Sequence, residues 1–204
     1  MMKMTLAALL LGPTPLLAST LEITVRDAKG APLRDAVVTV ASAAGKAKGP
    51  PRFAWPSRVS QRDIRFDPYV LIVPVGADVA FPNFDRVRHH VYSFSPAKKF
   101  ELKLYGRDES RRVKFERAGT VALGCNIHDS MTAFIKVVDT PFAAKTDANG
   151  VATITGLPAG GARVTVWHPF ARLRANEMQL AVTMPGSGKL AQSARLPVTM
   201  GAGR

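Results

Sequence analysis

The feature that most constrains this chain is the shortness of its apolar runs and the chemistry of what separates them. "LEITV" (21–25), "AVVTV" (36–40), "HHVYSFS", "FELKLY", "GTVALGC", "TAFIKVVD", "VATIT" and "RVTVWH" are rich in β-branched and aromatic residues. Each is bounded by Gly, Pro, Asp or charged residues, as in "DAKGAP", "DANG" and "LPAGG". Runs of this length cannot make long helices, and turn residues at such intervals favour antiparallel strands. The 16 Gly and 15 Pro fall between the runs, and 47% hydrophobic residues suffice for a packed core. The expectation is an all-β chain of sandwich type.

The rhythm changes twice. A bridge, "AAGKAKGPPR" (43–52), ends the first pair of strands, and near Asp139 the chain returns to its opening style. Between them, "RDIRFDPYVLIVPVGADVAFPNFD" predicts strands near 69–73 and 78–82, and a last pair is expected at 177–184 and 190–198. "ITVRDAKGAPLRDAVVTV" together with "KTDANGVATITGLPAGGARVTVWHP" resembles the carboxypeptidase regulatory-like (transthyretin-like) β-sandwich. The resemblance implies a small β-sandwich in two halves, 19–48 and 140–200, with residues 50–138 inserted in a loop. Insertions of that kind are tolerated where the inserted ends lie close together.

The start, "MMKMTLAALLLGPTPLLAST", has the layout of an export signal: a positive Lys3, an apolar stretch, then small residues near Ala18. The expectation is a cleaved signal over 1–18 and a periplasmic protein with no stable membrane insertion, because the apolar stretch falls short of the roughly 20 residues a span needs. The net charge of +13 is spread along the chain. It is not gathered on one segment as in nucleic-acid binders, so no nucleic acid is expected, and an acidic partner protein is.

In an oxidising compartment cysteines usually pair, yet Cys125 is alone. It lies in "LGCNIHDSM" (123–131), where a thiol, an imidazole and a thioether follow at equal spacing as Cys125, His128 and Met131. If the strand turns sharply at Cys125, the three converge. A further imidazole must come from "RHHV", from either His89 or His90. Neighbouring strand residues point oppositely, so only one of them reaches the site. Two His, one Cys and a weak Met make up the blue-copper donor set. Zinc also takes Cys and His, but its usual sets include no thioether.

"GTVALGCNIHDSM" followed by "TAFIKVVD" resembles the end of the cupredoxins, and the Cys-x-x-His-x-x-Met spacing is that of the amicyanin type. "FDPYVLIVPVGADVAFPNFD" resembles the family's approach to its first ligand, and "HHV" stands where the family has His-Asn-Val. The resemblance implies a Greek-key β-sandwich over 50–138 with one type 1 copper on His89, Cys125, His128 and Met131. It also puts His90 in place of an Asn that ties the two ligand-bearing loops together. The implied function is single-electron transfer between redox partners, with a link to amine (methylamine) oxidation. The alternatives are copper delivery, or a scaffold without redox role. Catalysis at a second copper is not expected, since His89, His90, His128 and His168 are the whole histidine supply. His168, Asn83, Asp85 and Asp129 are expected to pack, form turns or meet solvent.

Overall fold

The computed structural model describes residues 18–42 and 51–199. Residues 1–17 of the expected signal, nearly all of the 43–52 bridge and the last residues thus lie outside the described residues. Two strands come first, β1 (Ser19–Asp27) and β2 (Val37–Ser42). Next come β3 (Ser60–Arg62), β4 (Arg65–Asp67), β5 (Val70–Pro74), β6 (Ala77–Pro82), β7 (His89–Ser95) and β8 (Lys98–Tyr105). After β9 (Ser110–Phe115), β10 (Gly119–Cys125) and β11 (Thr132–Val138), the chain continues into β12 (Ala143–Lys145), β13 (Val151–Leu157), β14 (Gly160–Trp167), β15 (Glu177–Met184) and β16 (Gly188–Leu196). The only helical element among the described residues is one short 3-10 turn, Arg174–Asn176. The all-β expectation holds.

The sheets sort the chain into two units. β1 lies between β13 and β16, and β2 lies between β12 and β14, with β15 beyond. These two sheets, drawn from both ends of the chain, enclose a core of Leu21, Ile23, Val25, Val38, Val40, Ile154, Val164, Val166 and Leu196. Alternate residues of β1 point inward, so one face of each strand supplies the core. In the central unit a five-stranded sheet, β5-β11-β10-β7-β8, faces the pair β6-β9, while β3 and β4 form a hairpin. β11 runs parallel to β5 and antiparallel to β10. Spatial neighbours therefore differ from sequence neighbours, as in Greek-key sandwiches. Its core includes Val79, Phe81, Val91, Tyr105, Phe115, Val121, Leu123 and Ile135.

The outer face of β11 joins the units. Val37, Val70, Ile72, Val138, Ala143 and Trp167 form a third buried cluster, with Phe134 edge-on to Trp167 at 5.8 Å. Within this contact the ammonium of Lys136, only 8% exposed, donates to Glu177 at 2.7 Å and to Thr120 Oγ1 at 3.2 Å, and lies 5.2 Å from the Trp167 ring. A charge so far out of water needs such partners.

Candidate metal centre

Cys125 ends β10 and is buried at 2% exposure. Its strand is paired with β7, with Cys125 opposite Val91 and Gly124 opposite Tyr92. Gly124 has a reason to lack a side chain, because a Cβ there would meet the Tyr92 ring at 2.8 Å. The chain then turns, and the turn is closed by the Met131 amide donating to the His128 carbonyl at 3.0 Å. Met131 is buried in the same core cluster as Cys125, which places its side chain under the loop rather than in solvent.

His89 opens β7 and is fully buried. Its Nδ1 lies 3.7 Å from Cys125 Sγ, and His128 Nδ1 lies 3.6 Å from the same sulfur. The three donor atoms fall within 4.8 Å of one another, and the two rings stand 5.0 Å apart. Metal–sulfur and metal–nitrogen bonds of about 2.3 and about 2.0 Å, at angles between tetrahedral and trigonal, separate the two donors by about 3.5–3.8 Å. The observed spacings suit one such ion, and the donor types suit copper.

His90 faces the other way, as strand alternation requires. Its Nε2 pairs with Glu101 at 2.8 Å. The His90 side chain thus does not take up the loop-tying part of the Asn that the resemblance puts at its position. The tie is made by main chain, the Asn126 amide donating to the His90 carbonyl at 3.0 Å. His168 lies in the other unit, buried at 3% exposure. Burial pushes its pKa down to about 4, against smaller upward effects of the Arg34 backbone and Asp35.

Asp85, expected only to form a turn, has a larger part. Its carboxylate accepts from His89 Nε2 at 2.7 Å and from the amides of Asp63 and Ile64 at 2.6 and 3.1 Å. Partial burial pushes the Asp85 pKa up, but these hydrogen bonds outweigh it and hold it below the ordinary range. An ionised carboxylate can only accept, so His89 donates from Nε2, and in the neutral ring that leaves Nδ1 as the acceptor facing Cys125. The signal in the sequence was the four-residue spacing of Asp85 and His89, which has no meaning until the loop between them is folded. Beneath the site Tyr105 donates to Gln61 Oε1 at 2.6 Å, and burial pushes its phenol well above the usual value.

No protein-family model and no curated protein matches this sequence. Solved structures do. A purple cupredoxin from Nitrosopumilus maritimus is similar at a TM-score of 0.37 and 20% identity, over 40% of this chain and 98% of that one. A reduced amicyanin variant is similar at 0.38 and 20%, over 50% and 98%. The Cu-containing nitrite reductase (NirK) from Thermus scotoductus SA-01 is similar at 0.39 and 28%, over 48% of this chain and 25% of that one, so the chain spans about a quarter of that enzyme.

Proposed function

We propose that the central unit is a cupredoxin that holds one type 1 copper on His89, Cys125, His128 and Met131, and that the protein carries single electrons between redox partners. The observation that carries this reading is the convergence of His89 Nδ1, Cys125 Sγ and His128 Nδ1 within 4.8 Å. Copper held there would supply reversible one-electron exchange between Cu(II) and Cu(I). The chain contributes rigidity and dryness. Cys125 and His89 are buried and anchored in paired strands, so their donor atoms need not move when charge changes.

His128 is only partly buried and marks the way out for the electron. Around it, Ile64, Phe84, Val87 and Ile127 expose apolar side chains from the loops that meet at the site. Such a surface suits a small, short-lived contact. Arg62 and Arg65 flank the β3–β4 turn and Arg86 and Arg88 precede β7; all four are exposed, and none has an ion-pair partner among the described residues. They favour an acidic partner. With His90 engaged by Glu101 and His168 in the other unit, the imidazoles serve a single centre, and we read the protein as a carrier rather than an enzyme. The amicyanin-like spacing extends the reading to an electron carrier linked to amine (methylamine) oxidation, and the opening segment extends it to export into a periplasm. No helix among the described residues is long and apolar enough to cross a membrane. The outer unit, read as a carboxypeptidase regulatory-like sandwich, would support or dock the carrier.

The test is a visible spectrum of the mature protein with Cu(II), beside Cys125→Ser. A strong thiolate-to-copper band, bleached by mild reductant and absent from the variant, is the expected result. Stoichiometric copper without that band would sink the carrier.

A further inference from the structure

The hairpin of β3 and β4 contributes no metal donor, yet its tip is built around one carboxylate. Asp63 and Ile64 stand at φ +53° and +54°. Consecutive left-handed residues are ordinarily Asn and Gly, and a β-branched residue there is a genuine outlier. The turn has a consequence: its two successive N–H groups face one anion, which makes the tip a main-chain nest. Both amides point at Asp85, at 2.6 and 3.1 Å.

The loop carrying Asp85 is tied down as well. Asn83 accepts from the Asp85 amide at 2.8 Å and donates to the Val87 and Tyr105 carbonyls at 2.9 and 3.2 Å. The Phe84 amide donates to the Gln61 carbonyl at 2.9 Å, locking that loop to the hairpin. The remaining strong contact of the carboxylate is His89 Nε2 at 2.7 Å.

We propose that the β3–β4 hairpin tip and Asp85 act as one outer support of the metal centre, with Asp85 a positioning residue that acts through His89. The inference rests on the metal reading above. The nest fixes the carboxylate, the carboxylate fixes the tautomer and plane of the His89 ring, and Nδ1 is aimed at Cys125 before any metal arrives. Partners of this kind also raise the basicity of the ligating nitrogen, and their loss typically weakens metal binding about 10–100-fold. Ile64 keeps its strained backbone because both amides of the nest are in use.

The experiment compares the wild type with Asp85→Ala, Asp85→Asn and Ile64→Gly. Nitrogen-15 NMR of the metal-free proteins reads the His89 tautomer. Removal of Cu(II) by a chelator, followed in the visible band, reads retention. A single Nε2–H tautomer is expected in the wild type and in Ile64→Gly, which keeps both amides and relaxes the backbone. Asp85→Ala should mix the tautomers and lose copper about 10–100-fold faster. Asp85→Asn retains an acceptor oxygen and should fall between, and it decides the matter if the alanine variant does not fold. An unchanged tautomer with copper loss within about twofold of wild type in the folded Asp85 variants would overturn the proposal. A wild-type protein with no thiolate-to-copper band would defeat the copper reading alone, since the tautomer in the metal-free chain still decides the role of Asp85.

Discussion

The two units are built from the same material, short antiparallel strands around an aliphatic core, and differ in what they do with one end of it. In the outer unit the core runs closed from Leu21 to Leu196, and side-chain carboxylates serve its turns. Asp27 accepts from the amides of Lys29 and Ala31, and Asp147 from those of Asn149 and Val151. The central unit instead buries Gln61, Asn83, His89 and Cys125 at one end. Its loop carboxylate, Asp85, accepts from main-chain amides as Asp27 and Asp147 do, but also from an imidazole that faces a thiol. The same turn chemistry thus serves closure in one unit and a candidate metal centre in the other. The difference costs the central unit hydrophobic contacts and leaves more buried polar groups in need of partners.

That contrast can be tested at four points. The largest effect is expected where the units meet. Trp167→Ala empties the cluster against Phe134 and leaves Lys136 facing a cavity, and should cost about 3–5 kcal/mol. Calorimetry should then resolve two unfolding transitions where the wild type has one. A second, comparable effect should separate the units chemically. Copper at about a thousandfold its dissociation constant should stabilise the central unit by about 4 kcal/mol. With Trp167→Ala as background, only one transition should move, and movement of both would show the units still coupled.

Third comes pH, which acts on the outer unit. His168 is held neutral by burial, with a folded pKa of about 4 against an ordinary 6.5. The unfolded chain takes up the proton first, so the contribution is complete above about pH 6.5 and lost as pH falls toward about 4, by roughly 3 kcal/mol. Denaturation midpoints of the wild type and His168→Phe, compared at pH 7 and 4.5, should differ in slope, and parallel behaviour would refute this assignment. The smallest effect lies beside the candidate metal centre. Gly124→Ala pushes a methyl into the Tyr92 ring, at about 1–3 kcal/mol. Adding Tyr92→Ala should recover part of that loss, with the thiolate-to-copper band reporting whether β10 has shifted.

Much of this was legible because it is local. The strand rhythm depends on neighbours in sequence, and β5, β6 and β15 lie within a few residues of the expected 69–73, 78–82 and 177–184. The Cys125–Met131 spacing is also local, and strand alternation put His89 and His90 on opposite faces, leaving the choice between them to the family resemblance. The misses are contacts between distant segments. Asp85 meets the amides of Asp63 and Ile64 only because a hairpin folds back onto the loop before β7. His90 finds Glu101 on the adjacent strand, and Lys136 finds Glu177 across the boundary between units.

The sequence by itself determined the class of the fold and the close spacing of Cys125, His128 and Met131, because periodicity and spacing are properties of a few consecutive residues. Only the tertiary structure decided which carboxylate supports His89 and how the two units lock together. Those depend on pairings across tens of residues, where burial makes one partner obligatory and no short-range pattern says which.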